Sequence, residues 1–169
     1  MEVEMFMEFD GGCNIKGESK DAQHGEGKGD CLQVLSYSGG SSASSATSGG
    51  QQGRNRAVEF ADMSITVHPS KASTALFKHM TLGTRIPEAK LYMRKSGGGT
   101  DGQKDFMVYT FKNLMVSNFS VSVSKENTTE TYTFEYTLMH VEYKMQNAKG
   151  EVKRVGSWGY DLKENRGQE

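Results

Sequence analysis

Apolar and polar residues alternate from the start of the chain. Val3, Met5, Met7 and Phe9 point one way, and Glu2, Glu4 and Glu8 the other, with Phe6 out of phase. A period of two predicts a half-buried strand, which Gly11 and Gly12 end. Residues 32–37 predict a second strand. Val58 and Phe60, then Met63, Ile65 and Val67, predict a third. Further strands are expected at 89–95, 105–115, 119–124, 130–145 and 152–162, the last holding the only Trp, Trp158. One segment follows a helical period instead. Over 71–82, Ala72, Leu76 and Met80 share a face with Ala75 beside them. Ser70 or Ser73 is placed to cap its start and Gly83 its end.

Two strands change phase. Apolar positions run even to Phe60 and odd from Met63. In 130–145, Tyr132, Phe134, Tyr136 and Leu138 are even, while Val141, Tyr143 and Met145 are odd. A slip of one residue turns every later side chain to the other face unless a bulge absorbs it. Bulges or bends are therefore expected at 60–63 and 138–141, with Phe134, Tyr136, Val141 and Tyr143 all in apolar surroundings. Many short strands, one helix and Gly-marked turns predict a mainly β fold. The expected architecture is a closed or nearly closed barrel of two packed sheets with one short flanking α-helix. Its 169 residues fit a single domain spanning 1–169.

Residues 38–53 are almost entirely Gly, Ser, Ala and Gln, which reads as an extended flexible loop over 38–56. Its composition also accounts for part of the modest hydrophobic content of 35%. Twenty basic against 21 acidic residues leave a net charge of −1, so no global field recruits nucleic acid or an anionic membrane. The N-terminus has no basic region followed by an unbroken apolar run, which predicts no secretory signal and synthesis in the cytoplasm. No window approaches a membrane span, so no membrane insertion is expected. Cys13 and Cys31 read as two reduced thiols or, after export, as a disulfide closing the 14–30 loop.

Candidate chemistry is sparse. His24, His68, His79 and His140 are far apart in sequence. No Gly-x-Ser-x-Gly elbow occurs. The run from Gly97 to Lys104 lacks a Gly-Lys-Ser/Thr ending and reads as a hairpin turn. Tyr132, Phe134 and Tyr136 have neutral or acidic neighbours and read as a core face rather than a base-stacking platform. Gly17-Glu18-Ser19-Lys20-Asp21 reads by itself as a hydrogen-bonded turn. No catalytic set, cofactor or metal is predicted.

Residues 15–24, Ile-Lys-Gly-Glu-Ser-Lys-Asp-Ala-Gln-His, follow an alternating strand and precede Val34-Leu35-Ser36-Tyr37-Ser38. This order resembles the opening of the haemolysin co-regulated proteins (Hcp): a strand, Gly-Glu-Ser-x-Asp, a His soon after, then a strand close to Val-Leu-Ser-Phe-Ser. The matching residues are Gly17, Glu18, Ser19, Asp21 and His24. Pro87-Glu88-Ala89-Lys90-Leu91-Tyr92-Met93-Arg94-Lys95 is similar to the family's Pro-x-Ala-x-Leu-x-x-Arg-Lys, and Gly159-Tyr160-Asp161 through Asn165 to its terminal Gly-Trp-Asp-x-x-x-Asn. Cys31, Gly39 and Tyr160 stand where the family often has Trp.

The resemblance implies a tube subunit of the type VI secretion system. Hexameric rings stack into a tube that carries or shelters effectors, meets a spike protein and a contractile sheath, and is itself secreted without a cleaved signal. The expected assembly residues are Gln51, Gln52, Arg54, Arg56, Trp158, Lys163 and Arg166. The rival readings are a monomeric ligand-binding β-barrel and a secreted effector.

Overall fold

A computed structural model describes residues 2–45, 56–95, 104–147, 149 and 151–169. Among the described residues nine strands, β1 (Val3–Phe9), β2 (Leu32–Ser45), β3 (Arg56–Val67), β4 (Ile86–Lys95), β5 (Asp105–Val123), β6 (Thr128–Glu135), β7 (Leu138–Gln146), β8 (Val152–Asp161) and β9 (Arg166–Gln168), form one antiparallel sheet. The order is β4-β1-β2-β3-β6-β5-β7-β8-β9, and β4 also pairs with β5. That extra pairing closes β4, β1, β2, β3, β6 and β5 into a barrel-like ring. Strands β7, β8 and β9 continue outward from β5 as a wing. A helix, α1 (Ala72–Leu82), follows β3.

The ring interior is filled with side chains. Met7, Met63, Ile65, Leu76, Leu91, Phe111, Leu114, Tyr132 and Phe134 are each fully buried. Burying one such side chain contributes about 1.5–3 kcal/mol. The alternation that predicted β1 is the alternation between this interior and the outer face. Tyr132, Phe134 and Tyr136 form a core face, as their spacing predicts.

Helix α1 buries Ala72 and Leu76. At its start the Ala72 N–H donates to Ser70 Oγ (3.2 Å) and the Ser70 N–H to Ser73 Oγ (3.1 Å), so the two serines brace the turn leading into the helix, while the N-cap position is Lys71 and carries no side-chain cap. Ser73 Oγ also donates to Glu130 Oε2 (2.7 Å), tying the helix start to β6. Gly83 ends the helix with φ 64°, the left-handed conformation that glycine adopts without a Cβ penalty.

The first phase slip coincides with a bulge. Gly40 pairs with Ala61 and Ser38 with Ser64, so β3 has one residue more than β2 across this stretch. The second feature lies earlier than expected. The chain bends at 136–137, between β6 and β7, and the expected strand 130–145 is two strands. Opposite the bend Asn113 takes φ 58°, and its Nδ2 donates to Thr137 Oγ1 (3.2 Å). Conversely, the two strands expected at 105–124 are one, β5. Its register with β6 shifts between Val116 and Asn118. Val141 is half-buried and Tyr143 is 39% exposed. The expectation of apolar surroundings therefore fails at Tyr143, because the wing runs past the ring and nothing among the described residues covers it there.

The Gly/Ser tract also differs from its composition. Residues 38–45 belong to β2 and pair with 56–64 of β3, making a two-stranded arm rather than a loop at its base. Backbone pairing needs no side chain, so composition alone does not exclude a strand. Pro87 lies within β4 and not before it, at an exposed position next to the strand's first residue, where a missing N–H is tolerated.

Candidate functional site

The segment between β1 and β2 is folded and not a slack connection. The Gly17 N–H donates to the Asp30 carbonyl (2.8 Å) and the Ser19 N–H to the Cys31 carbonyl (3.2 Å). A side chain at Gly17 would place its Cβ 2.2 Å from the Cys31 carbonyl oxygen, which requires glycine on steric grounds. Asp21 Oδ1 accepts the N–H groups of Gln23 (2.9 Å) and His24 (3.0 Å), while Ser19 Oγ accepts the Asp21 N–H (3.2 Å). Glu18 Oε1 accepts the Lys71 N–H (3.0 Å) just before α1. The capped turn read from the sequence is present, and it serves a larger purpose.

That purpose is to cover Phe6. Phe6 points away from the ring interior yet is 2% exposed. Its ring stacks on His24 at 4.9 Å, and the Arg94 guanidinium carbon lies 4.9 Å from its centroid. His24 also meets Tyr92, with ring centroids 4.6 Å apart. His24 Nε2 lies 3.0 and 3.1 Å from the two Asp105 oxygens. A carboxylate only accepts, so Nε2 carries the proton. Arg94, 7% exposed, donates to Glu4 Oε2 (2.7 Å) and with both terminal nitrogens to Asp21. Tyr92 donates to Glu8 Oε2 (3.0 Å).

Electrostatics follow from this geometry. Burial pushes the Asp21 carboxyl up. The hydrogen bond from Arg94, those from the Gln23 and His24 amides, and the Arg94 charge outweigh it and hold the group below the usual carboxylate range. Burial lowers Arg94, but its bonds to Asp21 and Glu4 raise it on balance. Cys31, buried between this cluster and the core, is pushed up to about 12 by burial and then by the Glu8, Asp105, Asp21 and Asp30 charges. Both cysteines are free thiols. Each group in the cluster satisfies another, and among the described residues no His/Cys/Asp/Glu group could hold a metal.

The arrangement is a fastener whose parts come from β1, the 16–30 segment, β4 and β5. A family model described as "Type VI secretion system effector, Hcp" matches residues 6–143, which includes all of those parts except Glu4. The chain belongs to the Hcp family. It is 32% identical over 169 residues to "Protein hcp1" of Pseudomonas aeruginosa, covering 98% of each chain. The crystal structure of Hcp1 from Salmonella typhimurium superposes with a TM-score of 0.74 at 27% identity, covering 99% of this chain and 100% of that one. A structure described as that of a type six secretion system protein superposes with a TM-score of 0.83 at 23% identity, covering 99% and 100%, and supports the fold. This Hcp protein is therefore a tube or effector protein of the type VI secretion system. Hcp proteins are secreted through that system, and among the described residues no helix is long and apolar enough to cross a membrane.

The motif residues Gly17, Glu18, Ser19, Asp21 and His24 thus come together, and they act inside the fold. The assembly candidates do not form one group. Gln51, Gln52 and Arg54 lie outside the described residues, and Arg56 opens β3. Trp158, Lys163 and Arg166 gather at the β8–β9 corner. Trp158 is 59% exposed and its ring lies against Gly167, where an added Cβ would sit 2.2 Å from Cζ2. The Lys163 N–H donates to Asp161 Oδ1 (2.8 Å), and Arg166 pairs across from Asp161.

Sequence reasoning missed Tyr92, Arg94 and Asp105 as partners of the motif. One signal was available: Phe6 breaks the alternation of β1, and an out-of-phase aromatic needs a cover on the polar side. Nothing local marked Asp105, which lies 81 positions from His24.

Proposed function

We propose that this Hcp protein is the structural tube subunit. It forms hexameric rings that stack into a tube, carries or shelters effectors in the ring lumen, abuts a spike protein and a contractile sheath, and works without catalysis. On this reading it is made in the cytoplasm and leaves through the type VI apparatus without a cleaved signal peptide. The observation that carries the reading is where the polar residues go. The one concentration of His, Asp, Glu and Arg among the described residues is consumed in closing the 16–30 segment over Phe6. Residues 38–44 of the extended arm and 153–156 of the wing are left exposed. The packed ring interior argues against a ligand-binding barrel, which needs room for its ligand.

Negative-stain imaging with size-exclusion chromatography and light scattering tests this directly. Hexamer-sized rings are expected, and a monomer without rings across micromolar concentrations would overturn the proposal. Gln51, Gln52, Arg54, Arg56, Trp158, Lys163 and Arg166 are the proposed contact residues. Reversal of Arg54, Arg56, Lys163 and Arg166 to Glu, one at a time, is expected to weaken assembly by about 1–3 kcal/mol per contact while thermal melting stays unchanged. If all four variants assemble like the parent, these positions are not the interface.

A further inference from the structure

Helix α1 turns two large apolar side chains outward. Ala72 and Leu76 are buried, but Phe77 is 48% and Leu82 63% exposed. Phe77 is held in place: its ring meets that of Phe119 on β5 edge-on, with centroids 6.0 Å apart. At 3.6 residues per turn the two flank the outward face, with the exposed Thr74, Lys78 and Thr81 between them. The charges around this face have one sign. From Lys71 to Arg85 there are three cations, Lys71, Lys78 and Arg85, and no acid. All three are exposed, and none is in an ion pair among the described residues. Two acids touch the start of the helix, and both are engaged there. Glu18 Oε1 accepts the Lys71 N–H (3.0 Å), and the buried Glu130 accepts from the Ser73 and Tyr132 hydroxyls (2.7 Å each). Helix stability does not explain the pattern. A cation is favoured at a helix C-terminus and opposed at an N-terminus, yet Lys71 stands at the N-cap.

We infer that this face of α1 docks an acidic amphipathic helix of another protein. Lys71 and Lys78 lie seven residues apart on one side, about 10–11 Å along the axis, which matches acids two turns apart on a partner helix. Phe77 and Leu82, about 7–8 Å apart along the axis, fit between apolar side chains spaced at i, i+3, i+4 and i+7 of that helix. The threonines keep the middle of the face low, so a second helix can approach. Two copies of α1 do not suit each other, because their cations repel. A membrane surface suits the face less well than a protein does. A helix that lies in a membrane needs its broad apolar stripe free, and here that stripe, Ala72 and Leu76, faces the core. The surface is complete on one chain, so the inference does not rest on the tube reading.

The probe is a fluorescein-labelled synthetic peptide of three Glu-Leu-Ala-Ala-Leu-Glu-Ala repeats, titrated with the full chain and read by anisotropy. A Kd of about 10–100 µM is expected, because a one-helix contact is smaller than a standard interface, and binding should weaken as salt rises. Lys78→Glu and Leu82→Ser are each expected to weaken it about tenfold or more, with melting temperature unchanged because both positions are exposed. Lys149→Glu, in the β7–β8 turn, makes the same charge change off the helix and is expected to leave binding as it is. Peptides with Lys in place of Glu, or Ser in place of Leu, are expected not to bind. No binding by the parent at up to about 1 mM overturns the inference, as does equal binding by the parent and either helix variant. Sedimentation with phosphatidylglycerol vesicles without peptide binding assigns the face to a membrane and overturns it. A changed oligomer in Lys78→Glu or Leu82→Ser by light scattering, again without peptide binding, assigns it to a second copy and overturns it too.

Discussion

Removing Arg94 unfastens the segment that carries the family motif. Its side chain is 8% exposed, against 14% for Asp21 and 31% for Glu4. Arg94→Met keeps the stem over Phe6 and deletes the charge, leaving Asp21 with its two backbone donors but no cation. Breaking a buried pair by removing one partner costs about 3–5 kcal/mol, and partial solvent access around Glu4 moves the expectation to the lower end, about 3 kcal/mol. At roughly 2–4 °C per kcal/mol for a chain of this size, the melting temperature should fall by about 6–12 °C. A double-mutant cycle with Asp21→Asn isolates the pair. The double variant should lose about as much as the worse single one, with a coupling of about 1.5 kcal/mol or more. The pair also has a pH signature. Asp21 titrates lower in the folded state than in the unfolded chain. Its contribution is therefore complete above the unfolded carboxylate value of about 3.9 and disappears as pH falls through the lower folded value. The parent should lose more stability than Asp21→Asn between about pH 5 and acid unfolding. A drop of under 1 kcal/mol for Arg94→Met, or additive single effects, would refute the idea that this cluster fastens the segment.

Gly17→Ala forces a Cβ to within 2.2 Å of the Cys31 carbonyl oxygen. It should destabilise by about 1–3 kcal/mol in thermal melting, whereas Gly27→Ala, which has open space but φ 72°, should cost about 1–2 kcal/mol from backbone strain alone. Trp158 is the only Trp and is 59% exposed. On the tube reading its emission should shift to the blue as assembly proceeds with rising concentration, and an unchanged spectrum through assembly would remove it from the interface. Cys31 is fully buried with its thiol pushed up to about 12. At pH 8 iodoacetamide should label Cys13 first and reach Cys31 only when the protein unfolds, as read by mass spectrometry.

Period and chemistry along the chain were enough to locate most elements. The alternation in 3–9 matches β1 to the residue, and the spacing of Ala72, Leu76 and Met80 matches α1 within one position. Both succeed because each side chain's exposure is set by its own local geometry. The slip at Phe60–Met63 likewise marks a bulge. The family landmarks, too, are legible in the chain, and they point to a secretion tube by residue identity and order alone.

What the chain does not show locally is pairing between distant segments. Whether 38–45 is loop or strand depends on the backbone of 56–64 opposite it, not on its own small side chains. Whether Tyr143 is core or surface depends on where the ring closes and the wing begins, which is fixed by the β4–β5 pairing. The purpose of Asp21 and His24 appears only when β4 brings Arg94 and β5 brings Asp105 to them, 73 and 81 positions away. An ion pair is set by distance in space. Chain order constrains that distance only through the whole fold, so this part of the molecule was decided by tertiary structure alone.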